Sequence, residues 1–313
     1  MKRARALLLV CFAGMGGLAL FVSRSDATAE TIKLIAPGIW FREGDMEQGH
    51  CNNVIIEMKD YLIVVDANYP SGARATMTDA KRISTKPVKY VFDTHHHGDH
   101  LYGNSLWTRG GATTLAFKGV AEELKRFEPA RWTAAAKSRK DVADLNQPAP
   151  EAPKQDINEL QYVLNDGSRK VEFRHFGWAH TKGDGFVYLP KEQVLCTGDA
   201  VVNGPHNNTA DANIGNWPSV LQAAEKLKVK FVLPGHGVAA GRELIEGQAQ
   251  FMTELHKAVK AGVDQGKKLE ELQAGIHLPE AVSTWVSERS LKTQIGDAYQ
   301  EITQGKPRGE LAH

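Results

Sequence analysis

Five short apolar runs along this chain share one feature: each stops at, or leads into, an aspartate or a histidine. "LIVV" ends at Asp66. "YVF" leads into His95, His97, Asp99 and His100. "VEFRHF" leads to His180, "VLCTG" ends at Asp199, and "FVLPG" ends at His236. Short apolar runs bounded by turn residues read as buried strands. A sheet brings equivalent ends of separate strands to one edge, and ligands of α/β proteins bind beyond those ends. The chain is thus confined to folds in which side chains far apart in sequence meet at one rim.

The rest of the pattern agrees. Strands are predicted at 53–58, 61–68, 88–94, 169–176, 185–190, 193–201 and 230–237, and helices at 76–84, 116–127, 217–228 and 242–262. Alternating strands and helices make an α/β protein. No internal repeat is evident. "NQPAPEAPKQ" (146–155) is a proline-rich loop, and from about residue 240 the chain reads as a helical appendage to the same domain, 30–313.

The densest cluster is "FDTHHHGDHLYGN", Phe92 to Asn104, with four of the chain's 12 histidines. His95-x-His97 puts two imidazoles on one side of an extended backbone, and Asp99 and His100 follow on a tight turn eased by Gly98. Imidazole and carboxylate together ligate zinc, and also iron or manganese. His95, His97, Asp99, His100, His180, Asp199 and His236 are too many for one tetrahedral zinc. They suit two metals sharing a bridging carboxylate. His96 alternates away from the ligands. His50, His175 and His206 read as polar or pocket-rim residues, and His256, His277 and His313 as solvent-facing. No Ser-His-Asp or Cys-His nucleophile system is evident.

Composition narrows the class. The formal charge of +1 speaks against a nucleic-acid partner. Lys2, Arg3 and Arg5, then the apolar Ala6 to Val22, then Ala27-Thr28-Ala29, have the order of a secretory signal peptide over residues 1–29. The expected location is periplasmic or secreted, with membrane contact only through an uncleaved signal segment. Of three cysteines, Cys11 would leave with that segment. Cys196 reads as core packing, and a Cys51–Cys196 disulfide stays open.

"THHHGDH" resembles the His-x-His-x-Asp-His signature of the metallo-β-lactamase superfamily. "VVDAN", "AHTKGD", "CTGD" and "PGHG" resemble its other motifs, in order, over about Ile32 to Gly237. The resemblance implies an αβ/βα four-layer sandwich of two mixed sheets with outer helices, and a metal site at one edge. It implies two Zn(2+) per chain. His95, His97 and His180 would hold the first, Asp99, His100 and His236 the second, and Asp199 would bridge. Asp66 would hydrogen-bond behind the histidine loop and fix its geometry. Ala179 and Lys182 depart from the small or proline residues usual in the third motif.

The implied chemistry is hydrolysis of a small acyl substrate (ester, lactone or lactam) by a dimetal-bound hydroxide, with Asp99 orienting the nucleophile and shuttling a proton. The context is similar to exported zinc metallohydrolases of the quinoprotein-relay type. Alternatives are a periplasmic β-lactamase and, in another class, an iron-dependent oxidoreductase of the same fold. Pocket walls are expected from loops 43–53, 132–155 and 203–217, which carry His50, Trp132, His206 and Trp217.

Overall fold

Side-chain alternation along the strands decides the layering. In the computed structural model, which describes residues 32–311, two mixed sheets form. The expected signal segment and His313 lie outside the described residues. The first sheet holds β1 (Ile32–Ala36), β2 (Ile39–Arg42), β3 (Asn53–Glu57), β4 (Leu62–Val65), β5 (Val88–Phe92), β6 (Thr113–Phe117) and β7 (Gln155–Ile157), side by side in that order. The second holds β8 (Gln161–Asn165), β9 (Lys170–Arg174), β10 (Phe186–Leu189), β11 (Val194–Gly198) and β12 (Phe231–Pro234), also in order. β1 to β4 pair antiparallel and β4 to β7 parallel. β8 to β11 pair antiparallel, and β11 pairs parallel with β12.

Successive residues of a strand face opposite sides. Val54, Ile56, Ile63 and Val65 therefore pack between the sheets with Val187, Leu189, Cys196 and Leu233 of the second sheet. Ile55, Leu62 and Val64 face the other way, onto α1 (Pro70–Ile83) and α3 (Asn104–Arg109), with α2 (Gly98–Leu101) just before α3. α4 (Lys118–Ser138) and α5 (Lys140–Ala143) complete the helices ahead of the second sheet. Phe186, Tyr188, Leu195 and Val232 face outward onto α6 (Trp217–Ala224), α7 (Glu243–Asp264), α8 (Leu269–Gly275) and α9 (Glu288–Gln304). The result is helix, sheet, sheet, helix, the four-layer αβ/βα sandwich. No described helix is long and apolar enough to cross a membrane.

Some boundaries differ from the sequence reading. α4 continues past Phe127 and through Pro129 to Ser138. Proline inside a helix loses one hydrogen bond and crowds the preceding turn. Here Leu124, Glu128 and Trp132, four residues apart, are buried along one face and hold the helix together. Cys51 and Cys196 are buried and free, so no disulfide links them.

Candidate metal centre

The topology sends the chemically active residues to one place. β4 and β5 are parallel with Val65 opposite Phe92, so Asp66 and the histidine loop leave the sheet at the same edge. β11 and β12 are parallel with Gly198 opposite Pro234, so Asp199 and His236 leave together too. The sheets are tied at this edge: Gly185 N–H donates to Thr94 O at 2.8 Å, and Asn52 N–H to Gly235 O at 2.8 Å. His180 comes from the loop between β9 and β10. Glycine is required at two approaches. A Cβ on Gly98 would stand 2.7 Å from the Tyr102 ring, and one on Gly235 would overlap Asp199 Oδ1.

One ligand-type atom each of His95, His97 and His180 lies within 4.8 Å of the others, and the same holds for Asp99, His100 and His236. Asp199 joins the two groups. Its Oδ1 is 3.2 Å from His100 Nε2, and its Oδ2 is 3.5 Å from His236 Nε2 and 3.8 Å from His180 Nε2. His236 Nε2 is 3.0 Å from Asp99 Oδ2.

Hydrogen-bond logic fixes the proton on four of the rings. His180 Nδ1 faces the carbonyl of Asn208 at 3.0 Å, and a carbonyl only accepts, so Nδ1 carries hydrogen and Nε2 is bare. His97 Nε2 faces the Asp211 carboxylate at 2.8 Å, which leaves Nδ1 bare. Thr94 Oγ1 gives its proton to Asp66, so at 3.0 Å it accepts from His95 Nδ1, and His95 Nε2 is bare with no partner. His97 Nδ1 and His180 Nε2 stand 3.1 Å apart. With a lone pair on each, that separation is repulsive unless a cation sits between them. His100 repeats the pattern. Its Nδ1 donates to Asp66 Oδ2 at 2.9 Å, and its Nε2 points at carboxylates without hydrogen-bond geometry. Converging bare nitrogens and carboxylate oxygens are the donor set of a metal site, and the residues present fit bound cations.

Electrostatics divides the site. Burial and neighbouring histidines push His95 well below the usual imidazole range. Burial also pushes His97 and His180 down to about 4, so this trio is neutral and ready to ligate. Across Asp199 the balance reverses. Burial disfavours the charged forms there, but carboxylates and histidines offset one another, so His100 and His236 are raised and Asp99 is lowered to about 2.

Asp66 sits where the sequence places it. Its Oδ1 accepts from Thr94 N–H and Oγ1, both at 2.8 Å, and its Oδ2 from His100. His96 turns away from the cluster, fully buried against Asp211 at 3.1 Å.

The pocket walls need correction. His50 is buried with Nε2 2.8 Å from Ser71 Oγ; Trp132 is buried and donates to Gln147 O; Trp217 is buried and donates to Ala200 O. Each is held inside the protein by that bond, and none of the three lines the cavity beside the cluster. His206 is half-buried, its ring 5.9 Å from that of His236. The cavity beside the cluster, about 300 Å³, is lined by Tyr69, Tyr102, Glu128, Arg131 and Asn208 together with His97 and Asp99.

Sequence reasoning also missed Asp211, Arg131 and Asp184. Arg131 grips Asp211 through two hydrogen bonds of 2.6 and 2.8 Å. Asp184 accepts from the N–H groups of His180 and Thr181, which shapes the loop that departs from the usual third motif. The available signal was only that Asp211 lies in the polar loop 203–217 and Asp184 follows His180 closely.

Comparison with known proteins agrees with this geometry. The family model described as the metallo-beta-lactamase superfamily matches residues 46–236. A Metallo-beta-lactamase type 2 of Bacillus cereus is 26% identical over 202 residues, 62% of this chain and 70% of that protein. One of Bacteroides fragilis is 33% identical over 175 residues, 53% of this chain and 60% of that one. Among solved structures, the inverting sec-alkylsulfatase of Pseudomonas sp. superposes with a TM-score of 0.71 at 19% identity over 86% of this chain, which spans half the length of that enzyme. A metallo-beta-lactamase from Pontibacter korlensis gives 0.58 at 21% identity, over 71% of this chain and 98% of its own. The chain thus belongs to the metallo-beta-lactamase superfamily, as one of its hydrolases.

Proposed function

We propose that the protein is a zinc-dependent hydrolase of small acyl substrates (esters, lactones or lactams) that acts in the periplasm or outside the cell. The observation that carries this reading is the double convergence of donors. Three neutral imidazoles stand on one side of Asp199, and Asp99, His100 and His236 on the other. Two zinc ions, when bound, supply an acidified water and Lewis acidity for the electrophilic oxygen. His95, His97 and His180 would hold one ion, Asp99, His100 and His236 the other, and Asp199 would reach both.

The chain's own groups supply the rest. Asp99 lines the cavity beside the cluster, with its carboxylate ionised, so it can orient a water and take a proton from it. Tyr69 lines the same cavity, and its hydroxyl has no hydrogen-bond partner among the described residues. Burial raises that phenol to about 12, so it stays protonated and can donate to a substrate oxygen. Arg131 is tied to both Asp211 and Glu128, so its charge is already balanced and offers a polyanion little. A neutral or singly charged substrate suits such a wall.

The test is metal analysis followed by a substrate panel of chromogenic esters, lactones and β-lactams, with a sec-alkyl sulfate and a phosphodiester beside them. Close to two zinc ions per chain are expected, with acyl hydrolysis that a chelator abolishes and zinc restores. A zinc-loaded protein that ignores every acyl substrate but cleaves the sulfate or the phosphodiester would overturn the acyl assignment. A single tightly held iron would favour the oxidoreductase chemistry instead.

A further inference from the structure

The C-terminal helix α9 carries an odd stripe. Gln294, Asp297 and Glu301, spaced i, i+3 and i+7, lie on one face of the helix and are each at least nine-tenths buried. Apolar residues would pack such a face at lower desolvation cost. All three side chains instead reach the loop between β11 and α6. Gln294 Nε2 donates to Asn207 O at 3.0 Å, and Asp297 Oδ2 accepts from Thr209 Oγ1 at 2.6 Å. Glu301 accepts from Ile214 N–H at 2.9 Å and Gly215 N–H at 2.7 Å. Arg308, just beyond the helix, closes the set by donating to Asp297 Oδ1 at 2.7 Å.

That loop orients two of the three histidines on one side of Asp199. Its Asn208 carbonyl holds His180 Nδ1, and its Asp211 holds His97 Nε2. Asp211 O also accepts from Trp178 Nε1, and Asn213 N–H donates to Ala179 O, next to His180 itself. The other side does not use the 207–215 part of it: His236 meets the loop nearer its start, where Asn203 N–H donates to His236 O at 2.9 Å. His100 is oriented by Asp66, which leaves β4 on the far sheet.

We infer that α9 is a positioning strut for one half of the metal centre. Gln294, Asp297 and Glu301 fix the loop 207–215, and the loop in turn sets the ring orientation of His97 and His180, while the Asp99–His100–His236 half is set without them. The inference rests on the reading of these residues as zinc ligands.

Full-length protein with Glu301→Gln tests it. An amide at this position puts an N–H₂ against backbone N–H groups on one side and cuts part of the strut. The change is made in two backgrounds: His236→Ala, which keeps the His95–His97–His180 half, and His95→Ala, which keeps the other. Zinc affinity is read by competition with a chromophoric chelator. Affinity should fall severalfold in the first background, less than the about tenfold to a hundredfold expected for losing a ligand's direct outer partner, and stay unchanged in the second. Thr209→Val, which removes one bond to the loop and no charge, should move it in the same direction. Val259→Ala in the core of α7 should lower Tm and leave both affinities alone. Equal weakening of both halves, or of neither, would overturn the strut. If the His236→Ala protein without further change takes up no zinc, the ligand assignment fails first and the strut with it.

Discussion

Asp66 shows how much one side chain can determine here. Its backbone is left-handed, φ 67°, a conformation that Asp and Asn tolerate better than most residues. That twist ends β4 and turns the carboxylate toward the histidine loop, where it holds Thr94 and His100 together. Asp66→Asn keeps the backbone preference but replaces one acceptor oxygen with an N–H₂ group. Facing a donor, His100 Nδ1 must accept, so the ring's hydrogen moves to Nε2, the atom aimed at the cluster. Zinc affinity of the Asp99–His100–His236 half should drop about tenfold to a hundredfold, with circular dichroism unchanged. An Asp66→Asn protein that binds zinc as tightly as wild type would show that the tautomer is not what matters.

At the scale of elements, the junction of α1 and α5 explains where His50 went. Asp141 accepts from Ser71 N–H at 3.0 Å and Oγ at 2.7 Å, and from Arg139 Nε and Nη2, both at 3.1 Å. Arg139 also donates to Gln48 O at 2.7 Å and lies over the Tyr69 ring, so one guanidinium links α5 to the loop before β3 and to the cavity wall. Burial alone would raise the Asp141 carboxyl, but the bonds from Arg139 and Ser71 outweigh it and hold it below the usual range. A lowered folded value means that the stabilisation is complete above the unfolded value of about 3.9 and is lost as pH falls through the folded one. Asp141→Asn should therefore lower stability by about 1 kcal/mol near neutral pH. The Tm gap from wild type should close below about pH 4. A gap that persists undiminished at lower pH would assign the effect to shape and not to charge.

For the whole molecule, the donor clusters imply that folding and metal binding are linked. The facing bare nitrogens of His97 and His180, 3.1 Å apart, repel without a cation, and a cation bound only by the folded state relieves this. Such a ligand adds about 2.7 kcal/mol at a free concentration a hundred times its dissociation constant. Chelator-treated protein should melt several degrees lower than zinc-loaded protein, and His97→Ala should lose part of that difference. Identical melting curves with and without zinc would count against a resident metal. The two sheets make the linkage long-ranged, since ligands from both meet across the interface packed by Phe92, Phe173 and Val187.

The histidines and aspartates at the strand ends were legible from sequence because their chemistry is local to each residue and their placement follows from short-range alternation. Apolar runs name the strands, and a residue just past a strand must lie at the sheet's edge. The four-layer fold followed from the same motifs through family resemblance. What supports the site was hidden. Asp211 meets His97 across 114 positions, and the His180 partner is a backbone carbonyl, which every residue has and no sequence singles out. The aromatic and histidine walls failed for the converse reason. Trp132, Trp217 and His50 fall in segments expected to wall the pocket, yet burial depends on what the rest of the chain brings against a residue. Each found a hydrogen-bond acceptor or donor inside, and only the packed structure decides whether such a partner exists.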